Sequence, residues 1–171
     1  MHERPETASG TTRLAAAFAA AVAGLLFATT AGAGPLPETR EGWSIHPAPH
    51  DWQQLGERLG GAIERSPLNE LSRASATRGA QSLGVTIAGN LVVHAFAPQF
   101  AVRMLEASIA AGYEAPLRFY VTENADGTAT LSYALPSHLF AAYEDGGEAL
   151  DALAAELDDI MAQIAAEAVA P

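Results

Sequence analysis

Apolar positions recur along this chain at two periods, and each change of period marks an element. Trp52, Leu55, Leu59 and Ile63 return at helical spacing, which predicts a helix from about Asp51 to Arg65, with Asp51 as N-cap and Pro67 preventing continuation. Ser72 to Gly84 holds small polar residues without a clear period and is expected to be a short helix or loop. Leu91 to Phe96 is β-branched and aromatic, which predicts a strand. Pro98 then suits the first turn of a helix running to about Ala111. That helix is expected to bury Phe100, Met104, Leu105 and Ile109 and to end at Gly112 in the left-handed conformation.

The clearest local pattern is a hairpin over 117–135. A three-residue loop of Ala125, Asp126 and Gly127, with Gly127 in the left-handed bulge position, sets Asn124 opposite Thr128. Val121 then faces Leu131, Phe119 faces Tyr133 and Leu117 faces Leu135, so the large apolar residues share one side. A four-residue loop would pair Phe119 with Ser132 and mix the faces. From about Glu148 to Val169, Leu150, Leu153, Leu157, Ile160, Met161 and Ile164 repeat at helical spacing with acidic residues mainly on the other faces. The fold class these elements predict is α+β: an antiparallel sheet including the 117–135 hairpin, helices packed on one face, and a long C-terminal amphipathic helix.

Ahead of these elements the pattern changes. Arg4 and Arg13 precede Leu14 to Ala28, an uncharged run of 15 residues, and Ala31-Gly32-Ala33 supplies a small-x-small cleavage site. Residues 1–33 are therefore read as a signal peptide, too short and alanine-rich for a spanning helix. Gly34 to His50, holding four prolines, reads as an extended leader segment, with one domain expected over 51–171. The consequence is a periplasmic or secreted protein with no stable membrane anchor after cleavage.

Composition narrows the chemistry. The 171 residues suffice for one core, and 20 acidic against 9 basic residues give a net charge of −11, which disfavours nucleic acid as a partner. All the basic residues are arginine and cysteine is absent, so Schiff-base chemistry, thiol nucleophiles, thiolate metal sites and lipidation at a cysteine are excluded. No Gly-x-Ser-x-Gly elbow appears.

On the hairpin face opposite the apolar one, the register groups Arg118, Tyr120 and Thr122 with Thr130, Ser132 and Ala134. Arg118 offers a planar fork to a carboxylate or other anion, with Tyr120 and Ser132 as supporting donors, although any half-buried antiparallel sheet also exposes a polar face. His94, on the third predicted element, and His138, after Pro136, are the candidate ligands for a metal or haem iron. His46 and His50 beside Asp51 form a weaker candidate metal site. No cofactor is required by these residues.

One family shares this order of features. Ala97-Pro98, Ala101, Met104-Leu105, Gly112, Pro116 with Arg118 and Val121, Glu123, Gly127, Ser132-Tyr133, Pro136-Ser137 and Leu139, followed by a long final helix, resemble the domain-of-unknown-function family DUF302 from about Asp51 onward. The resemblance implies helices on one face of an antiparallel sheet and a tendency toward homodimers; it implies no activity. Members often carry cysteine before the middle helix and ahead of the hairpin. Here those places read Phe96-Ala97-Pro98 and Pro116-Leu117, so a thiol-dependent role is not expected.

The function expected on these grounds is an exported, non-catalytic binding or accessory module with a small-molecule site at Arg118, Tyr120 and Ser132. Two alternatives stand beside it. One is a haem- or metal-dependent periplasmic redox protein using His94 or His138; the other is a structural partner of an envelope protein, docking through the apolar side of the final helix.

Overall fold

Asp51 starts the first helix as a cap should: its carboxylate accepts from the backbone N–H groups of Gln53 at 2.9 Å and Gln54 at 2.8 Å. This is a computed structural model that describes residues 39–171; the expected signal peptide and the first residues of the leader lie outside the described residues. In chain order it has β1 (Trp43–Ala48), α1 (Trp52–Glu64), β2 (Asn69–Ala74), α2 (Ala76–Ser82), β3 (Asn90–Phe96), α3 (Pro98–Ala107), β4 (Leu117–Glu123), β5 (Ala129–Ala134), α4 (Pro136–Phe140) and α5 (Gly147–Val169). The strands form one antiparallel sheet in the order β1-β5-β4-β3-β2. The class is α+β, as the periodicity predicts.

The hairpin has the expected register. Val121 pairs with Leu131 and Tyr120 with Ser132, Gly127 has φ 84°, and Asn124 N–H donates to Thr128 C=O at 2.8 Å. Asp126 Oδ1 fixes the turn by accepting from the Thr128 N–H at 3.0 Å and hydroxyl at 2.6 Å. Phe119 meets Tyr133 edge-to-face with centroids 5.3 Å apart. Leu135 lies one residue beyond the strand, and its N–H donates to Gly42 C=O at 2.8 Å.

One face of the sheet is the core. Leu91, Val93, Phe119, Val121, Leu131 and Tyr133 point into it and are at most 3% exposed. Against them lie Leu55, Leu59 and Ile63 of α1 and Leu150, Leu153, Leu157 and Met161 of α5, each fully or almost fully buried. The apolar side of α5 is therefore consumed by the protein's own core, which leaves no free stripe of Leu153 and Leu157 for an envelope partner. Arg58, midway along α1, ties that helix to the end of α5, donating to the C=O of Ala168 at 2.8 Å and of Ala170 at 2.7 Å, where the C-terminal carbonyls of α5 lack helical partners.

Five sequence expectations need correcting. The leader 34–50 is not all leader, because Trp43–Ala48 pairs along its whole length with β5 and structure begins before Asp51. Residues 72–74, expected at the start of a short helix or loop, belong to the edge strand 69–74, while Ala76–Ser82 is the short helix. The middle helix stops at Ala107, where Ser108 leaves helical geometry; its hydroxyl donates to Asp145 at 2.8 Å and accepts from Ala111 N–H at 3.2 Å. Gly112 falls in the following 3₁₀ turn, without positive φ. Ile109 falls beyond the helix end and is 82% exposed, and Leu105, inside the helix, lies off the buried face at 47% exposure, while Phe100 and Met104 stay buried.

Candidate functional site

Alternation in the strands sends every second side chain to the face away from α1 and α5. Cross-strand register arranges those side chains in rows. One row runs Ser72, His94, Arg118; the next runs Ala74, Val92, Tyr120, Ser132, Ile45. Trp43 on β1 sits opposite Ala134 of β5 at the end of the first row. A cleft of about 760 Å³ lies over this face, with Val92, Tyr120, Ala134 and Trp43 as mainly apolar lining and Arg118 and Glu114 as its charged groups. That volume falls in the range of small-molecule sites.

Arg118, Tyr120 and Ser132, the three expected ligand residues, all line this cleft. Their roles differ. Arg118 is exposed and has no carboxylate within ion-pairing distance among the described residues. Tyr120 is half-buried at the centre of the face. Ser132 is fully buried, with its hydroxyl 3.4 Å from the Tyr120 C=O, so it forms floor rather than a reachable donor.

Sequence reasoning missed Trp43, because prolines around it suggested a leader, and missed Glu114, which sits in the 3₁₀ turn before β4. The alternation of Trp43 and Ile45 with Ser44 and His46 was the one available signal for the first. Glu114 carried none. Its Oε1 accepts from the Tyr143 hydroxyl at 2.7 Å, and this bond holds the Tyr143 phenol above its usual range. Two other elements shape the rim. Asn90 Oδ1 accepts from Ala76 N–H at 2.9 Å and Thr77 Oγ1 donates to Ala88 C=O at 2.8 Å, pinning the start of α2 against β3.

The histidines are not brought together. His94 is on β3 with Nδ1 3.0 Å from Ser72 Oγ, whereas His138 is on α4 beside Gly42, with β4 and β5 between them. Strand spacing of roughly 4.8 Å makes that separation too wide for one metal ion. His46, His50 and Asp51 are also committed elsewhere: His46 Nε2 lies 2.7 Å from Ser44 Oγ, His50 Nε2 lies 2.8 Å from Ala170 C=O, and Asp51 caps α1. Among the described residues no group of three His, Asp or Glu side chains is placed to hold a metal.

His46 also stacks on Tyr133 at 5.8 Å, on the core side of β1. Burial holds its imidazole below the usual 6.5, while burial pushes the Tyr133 phenol up. Between the folded and unfolded pKa of His46 the unfolded chain binds more protons. Stability from this group is therefore complete above about pH 6.5 and is lost as pH falls through the lower folded value. The expected result is a urea midpoint that declines with acidification from about pH 7 to 5, and declines less in His46→Gln. Equal declines in both proteins would remove His46 as the cause.

Comparison with known proteins adds a family and a fold. The model of a domain of unknown function, DUF302, matches residues 45–168. A crystal structure of an uncharacterised conserved DUF302 protein from Bacillus stearothermophilus superposes with TM-score 0.68 at 20% identity, covering 75% of this chain and 99% of that one. No curated protein matches the chain. At that identity the structural likeness speaks for the fold alone.

Proposed function

The chain belongs to the DUF302 family, a membership that carries a fold and no activity, and from the site itself we propose that it is an exported, non-catalytic protein that binds a small amphipathic carboxylate. The observation that carries this reading is the placement of Arg118, without a carboxylate partner among the described residues, on a cleft of about 760 Å³ whose other lining is mainly apolar. An apolar body covering Val92, Tyr120 and Trp43 gains from leaving water, and a carboxylate meets the guanidinium fork at one end. Export is supported by the charged start, apolar run and small-x-small site in residues 1–33.

The test is titration calorimetry with hydrocinnamate, a phenyl ring joined to a carboxylate. Arg118→Ala is expected to weaken its binding about tenfold, the loss of one charge-assisted hydrogen bond, with an unchanged thermal unfolding profile. Equal affinity in the two proteins would show that the site is wrongly placed.

A redox role through a metal or haem at His94 is the second reading, supported by the Ser72 contact at Nδ1, which orients the ring and leaves Nε2 open. An absorbance spectrum and metal analysis of protein recovered from the exported fraction test it. A bare protein sinks that reading.

A further inference from the structure

We infer that the ligand of this cleft is a zwitterion, with a protonated amine held by Glu114 as well as a carboxylate held by Arg118. This rests on the preceding reading of the cleft and names its ligand class more closely. Glu114 and Arg118 both line the cleft, yet they do not pair with each other and neither has an oppositely charged partner among the described residues. Glu114 is half-buried in a cleft that Leu117, Tyr133 and Leu139 also line, and among the described residues its one side-chain hydrogen bond comes from the neutral Tyr143 hydroxyl at one oxygen. A carboxylate in apolar surroundings is costly to leave without a cation. Among the described residues no cation is placed there, so a ligand amine supplies it.

The net charge favours the same class. A protein of net charge −11 repels an anion that has come within a Debye length, about 8 Å at physiological salt, whereas a zwitterion carries no net charge to repel. Inside the cleft each end of such a ligand then meets its own counter-charge. The aromatic and aliphatic lining, Trp43 and Leu139 among it, suits an apolar body between or beside the two groups.

Titration calorimetry on the folded protein with four probes tests this: phenylalanine and para-aminomethylbenzoate as zwitterions of short and long span, hydrocinnamate as the acid alone, and phenethylamine as the amine alone. At least one zwitterion is expected to bind about tenfold tighter than both single-charge probes, and Glu114→Gln is expected to bring that ratio close to one. Gln keeps an acceptor for Tyr143, and the probe comparison stands without any variant.

If hydrocinnamate binds through Arg118 but neither zwitterion binds better, the inference fails and the carboxylate site survives. A preference that persists in Glu114→Gln also overturns the role of Glu114. Binding by none of the four removes the cleft as a ligand site and this inference with it.

Discussion

Phe119→Ala is expected to lower the free energy of unfolding by about 3–5 kcal/mol, seen as a lower urea midpoint with an unchanged slope. Phe119 is 0% exposed at the middle of β4, a strand flanked on both sides, and its ring packs edge-to-face on Tyr133 at 5.3 Å. Fixed strands on either side and α1 above prevent the site from collapsing onto the missing ring, so the cost includes a cavity as well as lost transfer energy. Against a total stability of about 5–15 kcal/mol, the loss should be plain in any denaturation curve. A change below about 1 kcal/mol would mean that the hairpin does not face this core.

Gly89→Ala is expected to destabilise by about 3 kcal/mol, the upper end for overpacking. A Cβ there would overlap the Trp52 indole at Cδ1 and Nε1. The indole cannot swing aside as a flexible chain end can, because Trp52 is the first residue of α1 and only 9% exposed. Nor can the backbone retreat. Gly89 N–H donates to Glu123 Oε2 at 2.5 Å and its C=O accepts from Glu123 N–H at 2.8 Å. Gly79→Ala is the control: nothing lies within 4 Å of its Cβ inside α2, so the change is expected to be neutral or to stabilise by up to about 1 kcal/mol. Equal effects at the two glycines, measured by chemical denaturation, would refute the close packing of Trp52 on Gly89.

The hairpin and the helices α1 and α5 are legible in the sequence because each is set by residues close together along the chain. Gly127 can take the positive φ the turn needs, and that turn fixes which residues of β4 and β5 face each other. Asp51 caps α1 through residues two and three places on. The same alternation puts Arg118 and Tyr120 on one face. It also puts Ser132 on the right face but suggests the wrong role for it, since burial depends on what lies across the sheet.

Sequence alone thus determined the α+β class, the hairpin register, the buried stripes of α1 and α5, and the chemistry ruled out by the lack of lysine and cysteine. Tertiary structure decided the edges of the sheet and the cleft. Asn69–Ala74 is mostly exposed and has no clean period, and Trp43–Ala48 contains Pro47, which an edge strand tolerates and a central one does not. Each becomes a strand because β3 and β5 offer partners for its backbone, a hydrogen-bonding demand that no local pattern records. The cleft gathers Trp43, Val92, Glu114, Arg118 and Tyr120 from separate stretches of chain. Their meeting follows from long-range strand pairing, whose register is a property of the whole sheet rather than of any segment in it.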